Sequence, residues 1–412
     1  VEHRQRECRP QHRRGFRALR LKPQRYLRNS EEARVRREAG RPPAPHDVPA
    51  ASTTRQCSCI KIEQAWKIRN EPPKTLLTGF KQRCVDLYRQ NQQRGTIMRG
   101  IAKVGFLAAA VIGVSPAFSQ TTDVNVGLSG WTGFAPLTLA KEAGIFEKNG
   151  LNVTLEKIPQ ASRHLAIASG DIQCAATTVE TWIVWNANGV DTKQIFQMDK
   201  SFGADGIAVR GDVESFADLK GKTVAASAPG TSPYFLLAWM LNENDMAMSD
   251  VSIVNMEPGP AAQAFVAGQN DAAMTYEPYL STVREAPDSG KILATTLDYP
   301  AVMDTFGCTP AFLEANPEAA KALADSYFEA LELIESDQDG SYATMGADVN
   351  QTAEQFAASA QYLRWQDREA NDSFFSDEFW SFSEAAADLL LEIGVIRSKP
   401  DIKAIVDTSF IE

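Results

Sequence analysis

The chain has 412 residues, 44% hydrophobic and 23% charged, enough apolar side chains for about two to three cored domains. Its charge is divided: the residues before Met98 carry a net +14 and the remainder −24, an asymmetry that one folded domain rarely shows. The long apolar run, Val104 to Val114, falls short of the roughly 20 residues a membrane-spanning helix needs, which excludes a membrane protein of ordinary kind.

Residues 1–97 are dense in arginine (RPQHRRGFRALR) and lack hydrophobic periodicity, so they are expected to be disordered. They read neither as a helix-turn-helix nor as a basic patch with interleaved aromatics, and no nucleic-acid partner is expected. From Met98, Arg99 and Lys103 precede an apolar stretch that ends at Pro116 and the small-residue site Ala117-Phe118-Ser119, the three regions of a secretory signal. Such a signal acts at a nascent N-terminus. Synthesis is therefore expected to start at Met98, with residues 1–97 a non-native upstream extension, 98–119 a signal peptide and the mature protein periplasmic. The alternative is a genuine basic domain that binds nucleic acid or anionic lipid. Four of the six cysteines, Cys8, Cys57, Cys59 and Cys84, lie in the extension at spacings that do not suit zinc, and no metal site is expected. Cys174 and Cys308 sit in apolar strand-like segments (IQCAAT, TFGCTP), where buried free thiols are expected and a single disulfide is the alternative.

From residue 120 a strand (Val124, Val126, Leu128), a Gly-rich turn, a helix with Ala135, Leu139 and Ala140 on one face, and a strand (Val153, Leu155) form a βαβ unit. A helix (SRHLAIASGD), a strand (IQCAAT), a helix (VETWIVWNANG) and a strand (QIFQM) follow. A second series begins at GIAVR: a helix at SFADLKG, a strand (TVAAS), a helix (SPYFLLAWMLNEN), a strand (VSIVNM), a helix (PAAQAFVAG) and a strand (DAAMTY). Strands alternating with helices predict an α/β chain with parallel sheets covered on both faces. Residues 316–396 read as largely helical, with Tyr327, Phe328, Tyr362 and Trp365 as core aromatics.

Taken together, WTGFAPLTLAKEAGIFEKNGLNVTL, ASRHLAIASGDIQCAATTVETW, GADGIAVR, FADLKGKTVAASAPGTSPYFLLAWML and AAQAFVAGQNDAAMTYEPYL resemble the periplasmic substrate-binding proteins of ABC importers for taurine, alkanesulfonates and nitrate. The related binding proteins for thiamine-pyrimidine precursors share much of the pattern. The resemblance covers about Val124 to Phe312. It implies a two-lobed type II binding-protein fold, a ligand cleft between the lobes, a membrane permease as partner, and no enzymatic activity or cofactor; a monomer is expected. Lobe 1 would comprise 120–206 and 305–412, with the helical C-terminal part packed on it, and lobe 2 would comprise 207–304. The crossings would fall near Gly206 to Val209 and near Val302 to Cys308.

In open parallel sheets the ligand sits beyond the carboxyl ends of strands, where turns lead into helix N-termini. Four turns qualify: Ser129 to Phe134, Thr177 to Thr181, Pro229 to Tyr234 and Tyr276 to Tyr279. The first offers Ser129, Trp131 and Thr132, and an indole in a polar Gly-rich loop suits ligand contact better than lobe packing. The second offers Thr177, Thr178 and Glu180, with plain helix capping as the alternative role. The third offers Thr231, Ser232 and Tyr234 around a helix start with Pro in its first turn, the best oxyanion site of the four. The fourth offers Tyr276 and Glu277. The resemblance adds Ala161-Ser162; the adjacent Arg163 and His164 are left undecided, His164 being expected to sit half-exposed without a ligand role.

No arginine lies in the four turns, whereas Glu180, Asp205 and Glu277 lie in or beside them. A strongly anionic ligand would meet uncompensated carboxylates, so a zwitterionic or neutral solute is expected. Taurine fits, with its sulfonate on helix starts and its ammonium near a carboxylate and the rings of Trp131 or Tyr276. Nitrate fits poorly, a pyrimidine or urea-like amide stays open, and a salt bridge is the alternative role for Glu277 and Asp205. A pyrimidine-synthase-type enzyme on the same scaffold would need a nucleophile or metal cluster that one histidine does not supply.

Overall fold

The computed structural model describes residues 121–411. The upstream extension, its four cysteines and the signal expected at 98–119 lie outside the described residues. The chain then runs as the alternation predicts: β1 (Thr122–Leu128), α1 (Ala135–Glu142), α2 (Ile145–Lys148), β2 (Leu151–Lys157), α3 (Gln160–Ser169), β3 (Cys174–Thr178), α4 (Val179–Ala187) and β4 (Lys193–Ser201). In β1, Val124, Val126 and Leu128 reach the core at the strand period of two. The turn after α3 is made by Gly170, whose φ of +80° is costly for any residue with a Cβ.

The second series is β5 (Asp205–Val209), β6 (Thr223–Ala226), α5 (Ser232–Glu243), β7 (Ser252–Asn255), α6 (Pro258–Val266), β8 (Ala272–Tyr276), α7 (Tyr279–Arg284) and β9 (Lys291–Thr295). The helix expected at SFADLKG is only a 3-10 turn, Phe216–Leu219, closed at its start by a Ser215–Asp218 capping box and followed by Gly221 at φ +77°. The tail contains β10 (Met303–Cys308), α8 (Pro310–Ala315), α9 (Pro317–Ser336), α10 (Gln338–Asp348), α11 (Ala353–Ala360), β11 (Leu363–Trp365), α12 (Arg368–Phe374) and α13 (Asp377–Glu392).

Two sheets result, ordered β11-β4-β10-β3-β1-β2 and β7-β6-β8-β5-β9. They are mixed, which corrects the expectation of parallel sheets. β1 pairs parallel with β2 and β3, and β6 with β7 and β8, but β10 runs antiparallel to β3 and β4, and β5 antiparallel to β8 and β9. The cause is where each passing strand enters. Asp304 of β10 lies opposite Thr178, the last residue of β3, and Asp205 of β5 lies opposite Tyr276, the last residue of β8. A strand that enters at the carboxyl end of its neighbour must run against it. The passages themselves are 202–204 and 296–302; of the segments expected to carry them, 206–209 and 303–308 are already paired as strands and Val302 lies in the second passage.

The same register explains Cys174 and Cys308. They are directly opposed in the β3–β10 pair and joined in a disulfide, correcting the expectation of free thiols. The 134 residues between them hide this neighbourhood from sequence reading.

α9 and α10 pack on α1, as expected of a tail that returns to the first sheet. α13 does more. It packs on α4 of the first series and on α5 of the second, with Phe382 against Phe235 and Trp239 at ring-centroid distances of 6.3 and 5.6 Å. Both α4 and α5 are apolar nearly all round, so their outer faces need a third helix to cover them.

The two passages are pinned to each other. Ser201 Oγ lies 2.7 Å from Thr296 Oγ1, the Gly203 N–H donates to Thr296 Oγ1 at 2.8 Å, and the Asp205 N–H donates to Ser201 Oγ at 3.0 Å. Thr296→Val keeps the shape but leaves the Gly203 N–H without its acceptor, so it should cost about 1–3 kcal/mol of unfolding free energy in a urea titration. A change under about 0.3 kcal/mol would show that this junction is solvated.

Candidate functional site

A cavity lies where the carboxyl ends of β1, β3 and β8 meet the start of α5. Ser129, Trp131 and Phe134 line it from the first turn, Thr177 and Thr178 from the second, Ser232 from the third and Tyr276 from the fourth. Gln160 and Arg163 of α3, Asp205, Val302 and Asp304 complete the wall. The cavity holds about 20 Å³, room for a single water.

Trp131 is fixed edge-on against Tyr276 at 5.4 Å, and its Nε1 donates to Asp199 Oδ1 at 3.2 Å. Gln160 spans the cavity. Its Nε2 donates to Thr177 Oγ1 and Thr181 Oγ1, both at 2.9 Å, while its Oε1 accepts from the Ser232 N–H at 3.1 Å. One side chain thus ties the end of β3 to the start of α5. The Ser232 hydroxyl has no hydrogen-bond partner among the described residues.

Not every residue expected at the site reaches it. Thr132 is buried behind Trp131, and Thr231 turns its hydroxyl back to the Ala228 carbonyl at 2.7 Å. Ser162 is exposed because residues 160 and 163 share the inward face of α3, and position 162 points away from it. Tyr234 lines a neighbouring cavity together with His164. Glu277 is fully buried but committed: it pairs with Arg284 and accepts the Ser281 N–H at 3.0 Å, the salt-bridge alternative. Glu180 lies beneath the wall, hydrogen-bonded by the Thr178 hydroxyl.

Gln160, Asp199 and Asp304 were not visible as site residues in the sequence. A signal existed for Asp304, a charge inside a short, largely apolar strand (VMDTFGC), but not for Asp199, whose strand carries several other polar residues (QIFQMDK). Arg163 also enters the wall, from a helix rather than from a turn. Its Nη1 and Nη2 are spent on the carbonyls of Ala176 (2.6 Å) and Ile158 (2.9 Å), leaving its buried Nε without a partner among the described residues. Burial lowers its pKa to about 10, so it is still a cation at neutral pH.

Four buried carboxyl groups gather around the cavity, and Arg163 shares its wall with two of them, Asp205 and Asp304. Asp199 and Asp304 are register partners across β4 and β10, Asp205 starts β5, and Glu180 sits in the first turn of α4. Burial pushes Glu180 and Asp199 up to about 8 and Asp205 up to about 7; Asp304 is raised well above the usual carboxylate range by burial and by its acidic neighbours. Glu180 Oε2, Asp199 Oδ2 and Asp205 Oδ2 have no hydrogen-bond partner among the described residues. Such a cluster is partly protonated at neutral pH and would ionise if a cation were brought against it.

Residues 131–340 match the family described as NMT1/THI5 like. A "Putative aliphatic sulfonates-binding protein" of Bacillus subtilis is 25% identical over 308 residues, covering 73% of this chain and 90% of that protein. Among solved structures, the alkanesulfonate-binding protein SsuA from Xanthomonas axonopodis pv. citri, bound to MOPS, superposes with a TM-score of 0.61 at 20% identity, over 70% of this chain and 99% of that one. The desulfurization enzyme DSZB has the same fold, with a TM-score of 0.53 at 13% identity over 70% of this chain and 97% of its own.

Proposed function

The chain belongs to the NMT1/THI5-like family and is a solute-binding component of an ABC importer, and on that premise we propose that its solute carries a protonated amine or amidine. The observation that carries this reading is the set of buried carboxyl groups around the cavity, three of them with an unpartnered oxygen. An ammonium between Asp205 of the second sheet and Asp304 of the first would give these groups the counter-charge their burial denies them. It would also bridge the two sheets, so that binding favours the arrangement in which they are closed on the solute. The hydroxyls of Thr177, Thr178 and Ser232 and the N-terminus of α5 suit a sulfonate on the same molecule, so a taurine-like zwitterion would find partners for both of its charges once the cavity widens to admit it.

A second reading, a protonatable aminopyrimidine, draws on the Trp131–Tyr276 pair, which could flank a flat ring. We further infer a periplasmic monomer that delivers its solute to a membrane permease and performs no chemistry. Cys174 and Cys308 are joined to each other, and His164 stands in the neighbouring cavity.

A thermal-shift and calorimetric panel at pH 7.5 tests the ligand class. Taurine should bind at least about 30-fold more tightly than ethanesulfonate, which keeps the anion and lacks the amine. Equal affinity for the two, or a preference for nitrate, would remove the cationic requirement. Stabilisation by an aminopyrimidine alone would select the second reading.

A further inference from the structure

The neighbouring cavity is the larger of the two, about 360 Å³. Val184 and Trp185 of α4, Tyr234 of α5, and Ile393 and Val395 from the segment after α13 form much of its wall, with His164 of α3. Among the described residues, no carboxylate, lysine or arginine lines it. Burial lowers the His164 pKa, so that imidazole is neutral at pH 7. Its volume lies within the range of small-molecule sites and its lining is mostly apolar, whereas the inner cavity is small and charged.

The two cavities share Gln160 as a wall. That wall is a single half-buried side chain, held by the Ser232 N–H on one side and by the Thr177 and Thr181 hydroxyls on the other. Rotating its amide away from Ser232, at the cost of its bonds to Thr177 and Thr181, would open the inner cavity into the outer one and leave the Ser232 N–H, beside the already unpartnered hydroxyl, for a ligand. A charged head with little more than one water's worth of room beside Asp205 and Asp304 leaves the rest of a larger solute to be buried in a neighbouring space, and the outer cavity is one.

We infer that the solute is an amphiphilic cation: its charged head sits among the carboxyl groups of the inner cavity, and an apolar tail of about six carbons or an aromatic ring occupies the outer cavity beside Trp185 and Tyr234. This rests on the cationic requirement given above and departs from its taurine-like example, making the rest of the molecule apolar instead of a sulfonate. The tail gains by leaving water, at about threefold to fourfold in affinity per buried methylene. The unlike chemistry of the two compartments orients the molecule, since the head is costly in the outer cavity and the tail finds no room in the inner one.

Isothermal titration of methylammonium, hexylammonium and phenethylammonium at pH 7.5 tests this. Hexylammonium and phenethylammonium should bind at least about tenfold more tightly than methylammonium. Val395→Trp, which fills the outer cavity, should reduce that ratio to about twofold or less. In case that variant folds poorly, the fluorescence of wild type minus Trp185→Phe should change with the tailed amines and not with methylammonium. Equal binding of all three amines would overturn the tail assignment and leave the cationic reading standing. So would a tail gain that survives Val395→Trp without any change in Trp185 emission. If none of the amines binds, both readings fall.

Discussion

Asp205→Asn should weaken the binding of a cationic solute by about 30-fold to several thousand-fold and, at the same time, raise the melting temperature of the ligand-free protein above pH 7. The two effects have one origin. Asp205 lies 3% exposed at the mouth of β5, with one carboxyl oxygen unpartnered among the described residues, and burial raises its pKa to about 7. Above that pH the free protein holds an uncompensated buried charge, which asparagine removes while keeping the shape and the capacity to hydrogen-bond Ser201. When the solute is bound, the same charge becomes one half of a buried pair, and removing it leaves the ligand's cation unmatched in a cavity of low dielectric. A carboxylate with only a structural role would behave differently, since its loss would lower stability and leave affinity alone. Calorimetric titration and thermal melts of the same preparation at pH 8 separate the cases. Unchanged affinity would end the assignment of Asp205 to the ligand.

The gain in one property against the other explains why part of this site was legible in the sequence and part was not. Strands and helices declare themselves through local periodicity, and the rule that ligands gather beyond the carboxyl ends of strands pointed directly at Ser129, Trp131, Thr177, Thr178, Asp205, Ser232 and Tyr276, all of which line the cavity. What failed was phase and partnership. Ser162 and Gln160 differ by two positions on α3, yet one faces solvent and the other spans the cavity. Thr231 and Ser232 differ by one, and the first folds its hydroxyl onto its own loop. Glu277 looked available because Arg284, seven residues on, was not seen as its partner. Asp199 and Asp304 become neighbours only through the register of β4 and β10, more than a hundred residues apart, the same non-local pairing that hid the disulfide. Asp304, a charge in a largely apolar strand, was the one such signal, because a buried charge is kept only where something compensates it.

The ligand-free protein should lose thermal stability as the pH rises from about 5.5 to 8.5, and a cationic solute should bind progressively more tightly over the same range. Glu180, Asp199 and Asp205, raised to about 8, 8 and 7, and Asp304, raised with them, hold their protons in the folded state and release them near pH 4 when unfolded. The folded protein therefore binds more protons than the unfolded chain between those limits. Their contribution to stability is complete below the unfolded value and is lost as the pH passes 7 to 8. His164 acts in the opposite sense, since burial lowers its pKa and folding gains as the pH rises through 6.5, but it is one half-buried group against four buried ones. One such group alone loses about 2–3 kcal/mol over this range, which would lower the melting temperature by roughly 5–10 °C. Binding reverses the sign, because the ligand selects the ionised carboxylates: complex formation releases protons, and affinity rises by up to about tenfold per pH unit for each proton released. Titrations in buffers of different ionisation enthalpy count those protons. A melting temperature that is level from pH 5.5 to 8.5, together with a pH-independent affinity for the amine, would mean that the four carboxyl groups are already ionised and compensated in the free protein, and that the solute's charge is recognised elsewhere.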